Sequence, residues 1–269
     1  MRIGKSFLFT FLLLLINAAL ILLFSFPGKL LKSYPDLSRI YEGGITTLCY
    51  LLSYVLMFYF VFKWKPDLKS RFKIPGRING SILFFTLLIM LGLRLVQKPI
   101  SEILVIFDFL PQYTPGKHGP KLESSTYDFL IINGFITSVL IAPLGEELFF
   151  RKYVFKKLLE KHSFAVATLV SSLCFMLIHI PKWTNLLPTF IFGIVACYIY
   201  HYTKRLIYPV FLHLSGNLLV FLMGLYGSPV SNWYRENAFN GTYWLLVVAG
   251  FGIGLFGLLS IRKAAHNIV

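Results

Sequence analysis

Long uninterrupted apolar runs decide what this chain can fold into. They cover Ser6–Phe26, Ile45–Phe62, Ser81–Val96, Phe129–Phe150, Phe164–Ile180, Leu186–Tyr202, Tyr208–Leu225 and Tyr243–Ile261. Runs of about 18 apolar residues are long enough to cross a bilayer as helices. They do not alternate, which excludes a membrane β-barrel. A helix also satisfies its own backbone groups in lipid. With 57% of 269 residues hydrophobic and 17% aromatic, the chain is too apolar for a soluble domain. The predicted fold is all-α: a polytopic membrane protein of about eight transmembrane helices. The first run follows Arg2 and Lys5, exceeds a signal-peptide core and ends in no A-x-A site, so it reads as a span.

A formal charge of +15 raises the question of nucleic acid. The basic residues cluster in short loops between apolar runs, which is how membrane topology is set, and no nucleic-acid partner is expected. The densest cluster is Lys63–Arg77, with Lys65, Lys69, Arg71 and Lys73 inside it. Placing the N-terminus inside puts most of the 26 Lys and Arg on inner segments. Eight spans then return the C-terminus to the same side, so both termini are expected in the cytoplasm. Arg94, near the end of the third run, reads as a snorkelling residue. A polar connection leads to Asp128, and within it Ile103–Leu110 reads as a surface segment. Cys49, Cys174 and Cys197 lie in apolar runs at no metal-like spacing and read as small core residues.

Against this background, Ala142–Phe155 (APLGEELFFRKYVF) stands out. An ionised carboxylate at membrane depth is costly, and an intramembrane acid is a functional hypothesis by default. In a helix, Glu147 and Arg151 share a face in the favourable acid-before-base order. Glu146 is rotated about 100° away and lacks that partner. Glu146 is therefore the better candidate for chemistry. Two histidines fall within or at the end of later runs, His179 and His213. Phe175 shares a face with His179, and Asn217 shares one with His213. Each histidine alone reads as a packed core residue, and Asn217 alone as interhelical hydrogen-bond glue. Together with the glutamates they form a reactive set. A carboxylate and a neutral imidazole can deprotonate a water. A second histidine and an amide can stabilise an oxyanion. No serine or cysteine has a nucleophile-elbow setting.

Glu plus two His also matches a zinc hydrolase ligand set. The H-E-x-x-H helix is missing, so three separate helices would have to supply it. No metal and no cofactor are expected. Span boundaries raise a difficulty: Glu146 falls at the inner end of the fourth helix and His179 at the outer end of the fifth. The two meet only if the fourth helix continues toward Lys161, or if the fifth is short or displaced.

Glu146-Glu147-Leu-Phe-Phe-Arg151, Phe175-Met-Leu-Ile-His179 and His213-Leu-Ser-Gly-Asn217 stand in order on three predicted helices. This set resembles the CAAX protease and bacteriocin-processing family, also called Abi, whose pattern is E-E-x-x-x-R, F-x-x-x-H and H-x-x-x-N/D. The approach Leu206–His213 is similar too, and Gly193 stands where the family often has a small residue. The resemblance spans about Phe129–Leu225. It implies an intramembrane glutamate endopeptidase whose site is formed by the fourth, fifth and seventh helices. It implies that Glu146 and His179 activate water, that His213 and Asn217 form the oxyanion hole, and that Glu147 and Arg151 shape the site. The family is usually described as metal-independent. Its bacterial members are linked to peptide maturation or bacteriocin self-immunity, which implies a bacterial cell membrane and a peptide or protein substrate that need not be prenylated.

The expected organisation is an N-terminal transmembrane region over 1–128, a protease core over 129–225, and a C-terminal loop and last helix over 226–269. Two other classes remain open from sequence: a non-catalytic immunity or scaffold protein on the same fold, and a proton-coupled transporter built on buried Glu and His. No internal repeat supports the transporter. Gly252-Ile-Gly254-Leu-Phe-Gly257 fits G-x-G-x-x-G but has no preceding strand. Gly250 and Gly254 read instead as a helix-packing face.

Overall fold

A computed structural model describes residues 1–61, 78–106, 124–180, 185–238 and 240–266. The basic stretch Lys63–Arg77 lies outside them. Helix α1 spans Ile3–Leu30, α2 Pro35–Leu56 and α3 Gly80–Ile106. Helix α4 is continuous over Ser125–Leu159. Helices α5 (Phe164–Leu177), α6 (Leu186–Thr203), α7 (Ile207–Tyr226), the short α8 (Ser228–Glu236) and α9 (Gly241–His266) complete the bundle. Ile103–Ile106, expected on the surface, continues α3; the rest of that segment falls outside the described residues.

The chain is an all-α polytopic membrane protein. Among the described residues, seven helices are long and apolar enough to cross a bilayer, and the remaining apolar run, the fifth in order, forms the shorter α5. Large apolar side chains such as Leu22, Leu23, Leu245 and Phe251 are exposed on the outside of the bundle, where lipid takes the place of water. Inside, Phe149, Phe150, Phe155 and Phe175 are buried in one cluster with Cys174 and Cys197.

Small residues set the tightest helix contact. A Cβ at Gly92 would come within 2.5 Å of the Gly250 carbonyl and 2.6 Å of the Gly254 nitrogen. Helices α3 and α9 therefore meet backbone to backbone, and the glycine-rich stretch of α9 is a packing face. Arg94 does not snorkel. Its guanidinium donates across to the Gly216 carbonyl on α7 at 3.1 Å. A main-chain acceptor on a neighbouring helix satisfies the group without a route to the interface.

The depth problem is resolved by helix lengths. Helix α5 has 14 residues, about 21 Å at 1.5 Å per residue, short of the ~30 Å hydrocarbon core. It starts after the turn that ends α4 and stops at a level where α4 carries its glutamates. Ser163 caps its start by accepting from the Val166 N–H, and Ser171 donates to the Phe150 carbonyl at 3.1 Å, fixing α5 along α4. Glu146 and His179 thereby reach one place.

Candidate active site

Helix α4 is not regular. It is π-helical over Ile136–Ile141 and again over Leu148–Phe155, with an α-helical turn, Ala142–Glu147, between them. Wide turns of this kind recur at functional sites because they displace side chains from the α-helical register. The turn between them carries Pro143 and both glutamates.

Glu147 and Arg151 are fully buried, and Arg151 Nε lies 3.0 Å from Glu147 Oε2. The pair survives the π-helical register because four residues still bring the side chains to nearly the same side. It is held by charge more than by an aligned hydrogen bond, and the guanidinium lies 4.4 Å from the centroid of the Phe175 ring. The other oxygen of Glu147 accepts from His213 Nδ1 at 2.9 Å. Arg151 pairs with Glu147, and Glu147 in turn orients the His213 ring. Nε2 of that ring then faces Glu146, 3.8 Å from its Oε2.

Glu146 has a partner that the motifs do not contain. The Tyr50 hydroxyl on α2 donates to Glu146 Oε1 at 2.5 Å. Gly145 lets α2 come this close: a Cβ there would stand 3.0 Å from the Tyr54 ring, one helical turn from Tyr50. Glu146 Oε2 accepts no hydrogen bond among the described residues. The carboxylate lines a cavity of about 260 Å³ with Leu13, Leu14 and Asn17 of α1, Tyr50, Ser53 and Tyr54 of α2, and Ile178, His179 and Ile180 past the end of α5. His179 bonds through Nδ1 to the Phe175 carbonyl at 2.9 Å. A carbonyl oxygen only accepts, so Nδ1 carries the proton, which leaves Nε2 as the lone-pair nitrogen whenever the ring is neutral.

Asn217 bridges to α4. Its Nδ2 donates to the Ser138 carbonyl at 2.7 Å. That carbonyl lacks a main-chain donor for a local reason. The Ala142 N–H is taken by Thr137, and the next donor position is Pro143, which has no N–H. A carbonyl without a partner at membrane depth is costly, and Asn217 supplies one. His213 and Asn217, four apart on α7, each make their own contact with α4, His213 to Glu147 and Asn217 to Ser138. The zinc-type ligand set is not assembled: among the described residues no three His, Cys, Asp or Glu side chains are grouped to hold a metal ion.

Tyr50 and Asn17 carry no motif and were not candidates from sequence. The signal available was physical: each is a polar group inside an apolar run, and such groups need a partner or a function.

Fold and site together define a polytopic membrane protein with a buried Glu–His–Arg network beside a small, mostly apolar cavity into which Glu146 and His179 project. Residues 128–219 match the family model described as type II CAAX prenyl endopeptidase Rce1-like. The family resemblance read from the three motifs is borne out over this segment. The chain is 36% identical over 115 residues to YdiL of Bacillus subtilis (strain 168), provisionally named a membrane peptidase; the match covers 43% of this chain and 45% of that protein. It is 37% identical over 79 residues to the UPF0177 protein YxdF of Lactococcus lactis subsp. lactis (strain IL1403), covering 29% of this chain and 43% of that protein. The matched region is under half the length of either relative. No solved structure matches.

Proposed function

We propose that this protein is an intramembrane endopeptidase that hydrolyses a peptide bond of a peptide or protein substrate presented at the bilayer, without a metal ion. One observation carries the reading: Glu146, with an oxygen left without a hydrogen bond, lines the same cavity as His179. A water held between that oxygen and the His179 ring is placed to attack a carbonyl.

The chemistry follows from these groups. The water oxygen bonds to the carbonyl carbon, the C=O π pair moves onto the carbonyl oxygen, and the water proton passes to Glu146. Protonated Glu146 then gives that proton to the leaving nitrogen as the C–N bond breaks. A carboxyl product and an amine result, with no covalent enzyme intermediate. Tyr50 holds the carboxylate by its other oxygen. His213, anchored by Glu147, faces Glu146 and supports its proton transfers. Arg151 offsets the cost of a second buried carboxylate. Asn217 ties α7 to α4 and so sets where His213 stands.

The motif residues fall within a core of about 129–225, and the N-terminal helices close the cavity over it. Both termini face the cytoplasm in this reading, following the basic loops. The similarity to CAAX-type endopeptidases and to a protein named for membrane peptidase activity supports this class. The substrate belongs to peptide processing at the membrane, prenylated or not. In purified protein, Glu146→Gln and His179→Ala should each abolish cleavage and leave the fold intact. Full cleavage by either variant would remove that residue from the mechanism.

A further inference from the structure

We propose that Asn17, on α1, is a substrate-binding residue that pairs with a non-reacting peptide group of the substrate, next to the bond that is cut. This rests on the endopeptidase reading above.

Two parts of the chain build the cavity beside Glu146. Glu146 and His179 come from residues 128–219, the segment that matches the family model. Leu13, Leu14 and Asn17 come from α1, outside that segment. Leu13 and Leu14 stand four and three residues before Asn17, so the three share one helix face. The cavity is only about 260 Å³, so a peptide placed at Glu146 also meets this face.

The chemistry of Asn17 fits a peptide. A peptide group carried into a mostly apolar cavity loses its water, and a donor or acceptor left without a partner weakens binding. A carboxamide is the side-chain counterpart of that group: its NH₂ donates and its oxygen accepts. Asn17 Nδ2 is buried and makes no hydrogen bond among the described residues. The side chain therefore carries a desolvated donor that the protein itself does not use. The bland alternative is interhelical glue, and glue looks different here. Asn133 Nδ2 donates to the Gly43 carbonyl on α2 at 3.1 Å, and Asn217 Nδ2 to the Ser138 carbonyl on α4 at 2.7 Å.

The paired peptide group is not the one that reacts. Its hydrogen bonds are equally strong before and during the chemical step, so they contribute to binding and not to turnover. The first helix, which carries none of the three motifs, thus selects and positions an extended peptide for the chemistry of the matched segment.

The test uses the full chain in detergent. A fluorogenic peptide library, plain and farnesylated, supplies a cleaved substrate. That substrate is remade with one non-scissile peptide bond at a time replaced by an ester, which deletes an N–H and weakens the carbonyl as an acceptor. Wild type, Asn17→Leu and Asn17→Ala are compared for kcat, KM and melting temperature. The expected result is a KM about 10–100-fold higher in both variants, with little change in kcat and unchanged melting. One ester beside the scissile bond should raise KM for wild type but not for Asn17→Leu. Should Asn17→Leu fail to accumulate, Asn17→Ala decides. An unchanged KM, a lower kcat without a higher KM, or esters that weaken wild type and variant alike would each overturn the role of Asn17 and leave the endopeptidase reading standing. So would loss of the ester effect in Tyr54→Phe, which removes a hydroxyl from the same cavity, with the effect retained in Asn17→Leu. No cleavage of any library member by wild type would count against the endopeptidase reading and take the inference with it.

Discussion

Asn217 and Ser138 are joined across two helices, carboxamide nitrogen to main-chain oxygen at 2.7 Å. The bond exists because Pro143 removes the donor that a π-helical turn would have offered. Asn217→Ala should therefore cost about 1–3 kcal/mol by stranding a part-buried carbonyl. Pro143→Ala restores an N–H and should recover much of that loss. Thermal unfolding of the two single variants and the double variant measures the coupling. Equal losses from Asn217→Ala with and without Pro143 would show that the two are independent.

Arg151 should matter more for abundance than for turnover. Arg151→Met leaves Glu147 charged and buried, a cost of about 3–5 kcal/mol. Adding Glu147→Gln removes the stranded charge, so the double variant should accumulate better than Arg151→Met alone. Membrane-fraction protein levels report this. A double variant no better than the single would sink the pairing.

Tyr50→Phe keeps the ring against Tyr54, with centroids 5.3 Å apart, and deletes only the hydroxyl. A hydrogen bond to a charged group is worth about 1.5–3 kcal/mol, so kcat/KM should fall by roughly 10–100-fold with normal melting. An unchanged rate would make the contact with Glu146 structural only.

The motif residues were readable from sequence because a buried charge in an apolar run has few structural excuses. The same logic made the Glu147–Arg151 pair visible from a four-residue spacing. Side-chain direction beyond one helix was not readable. Asn217 shares a face with His213, yet its partner is fixed by a proline on another helix. The π-helical stretches leave no apolar period that marks them. Tyr50 and Asn17 sit in runs with no motif, and only the bundle brings them to Glu146. The length of α5 stayed open because Ile178 and Ile180, on either side of His179, extend its run past the helix end.

The central claim is that Glu146 is the base. Glu146→Gln keeps the shape of the side chain and removes the base. Purified wild type and Glu146→Gln would be compared on a mixed library of plain and prenylated peptides, with and without a strong chelator. The expected result is cleavage by wild type alone, unaffected by chelator, with equal melting of the two proteins. Cleavage by Glu146→Gln at the wild-type rate, or wild-type cleavage lost to the chelator, would contradict a metal-free glutamate mechanism.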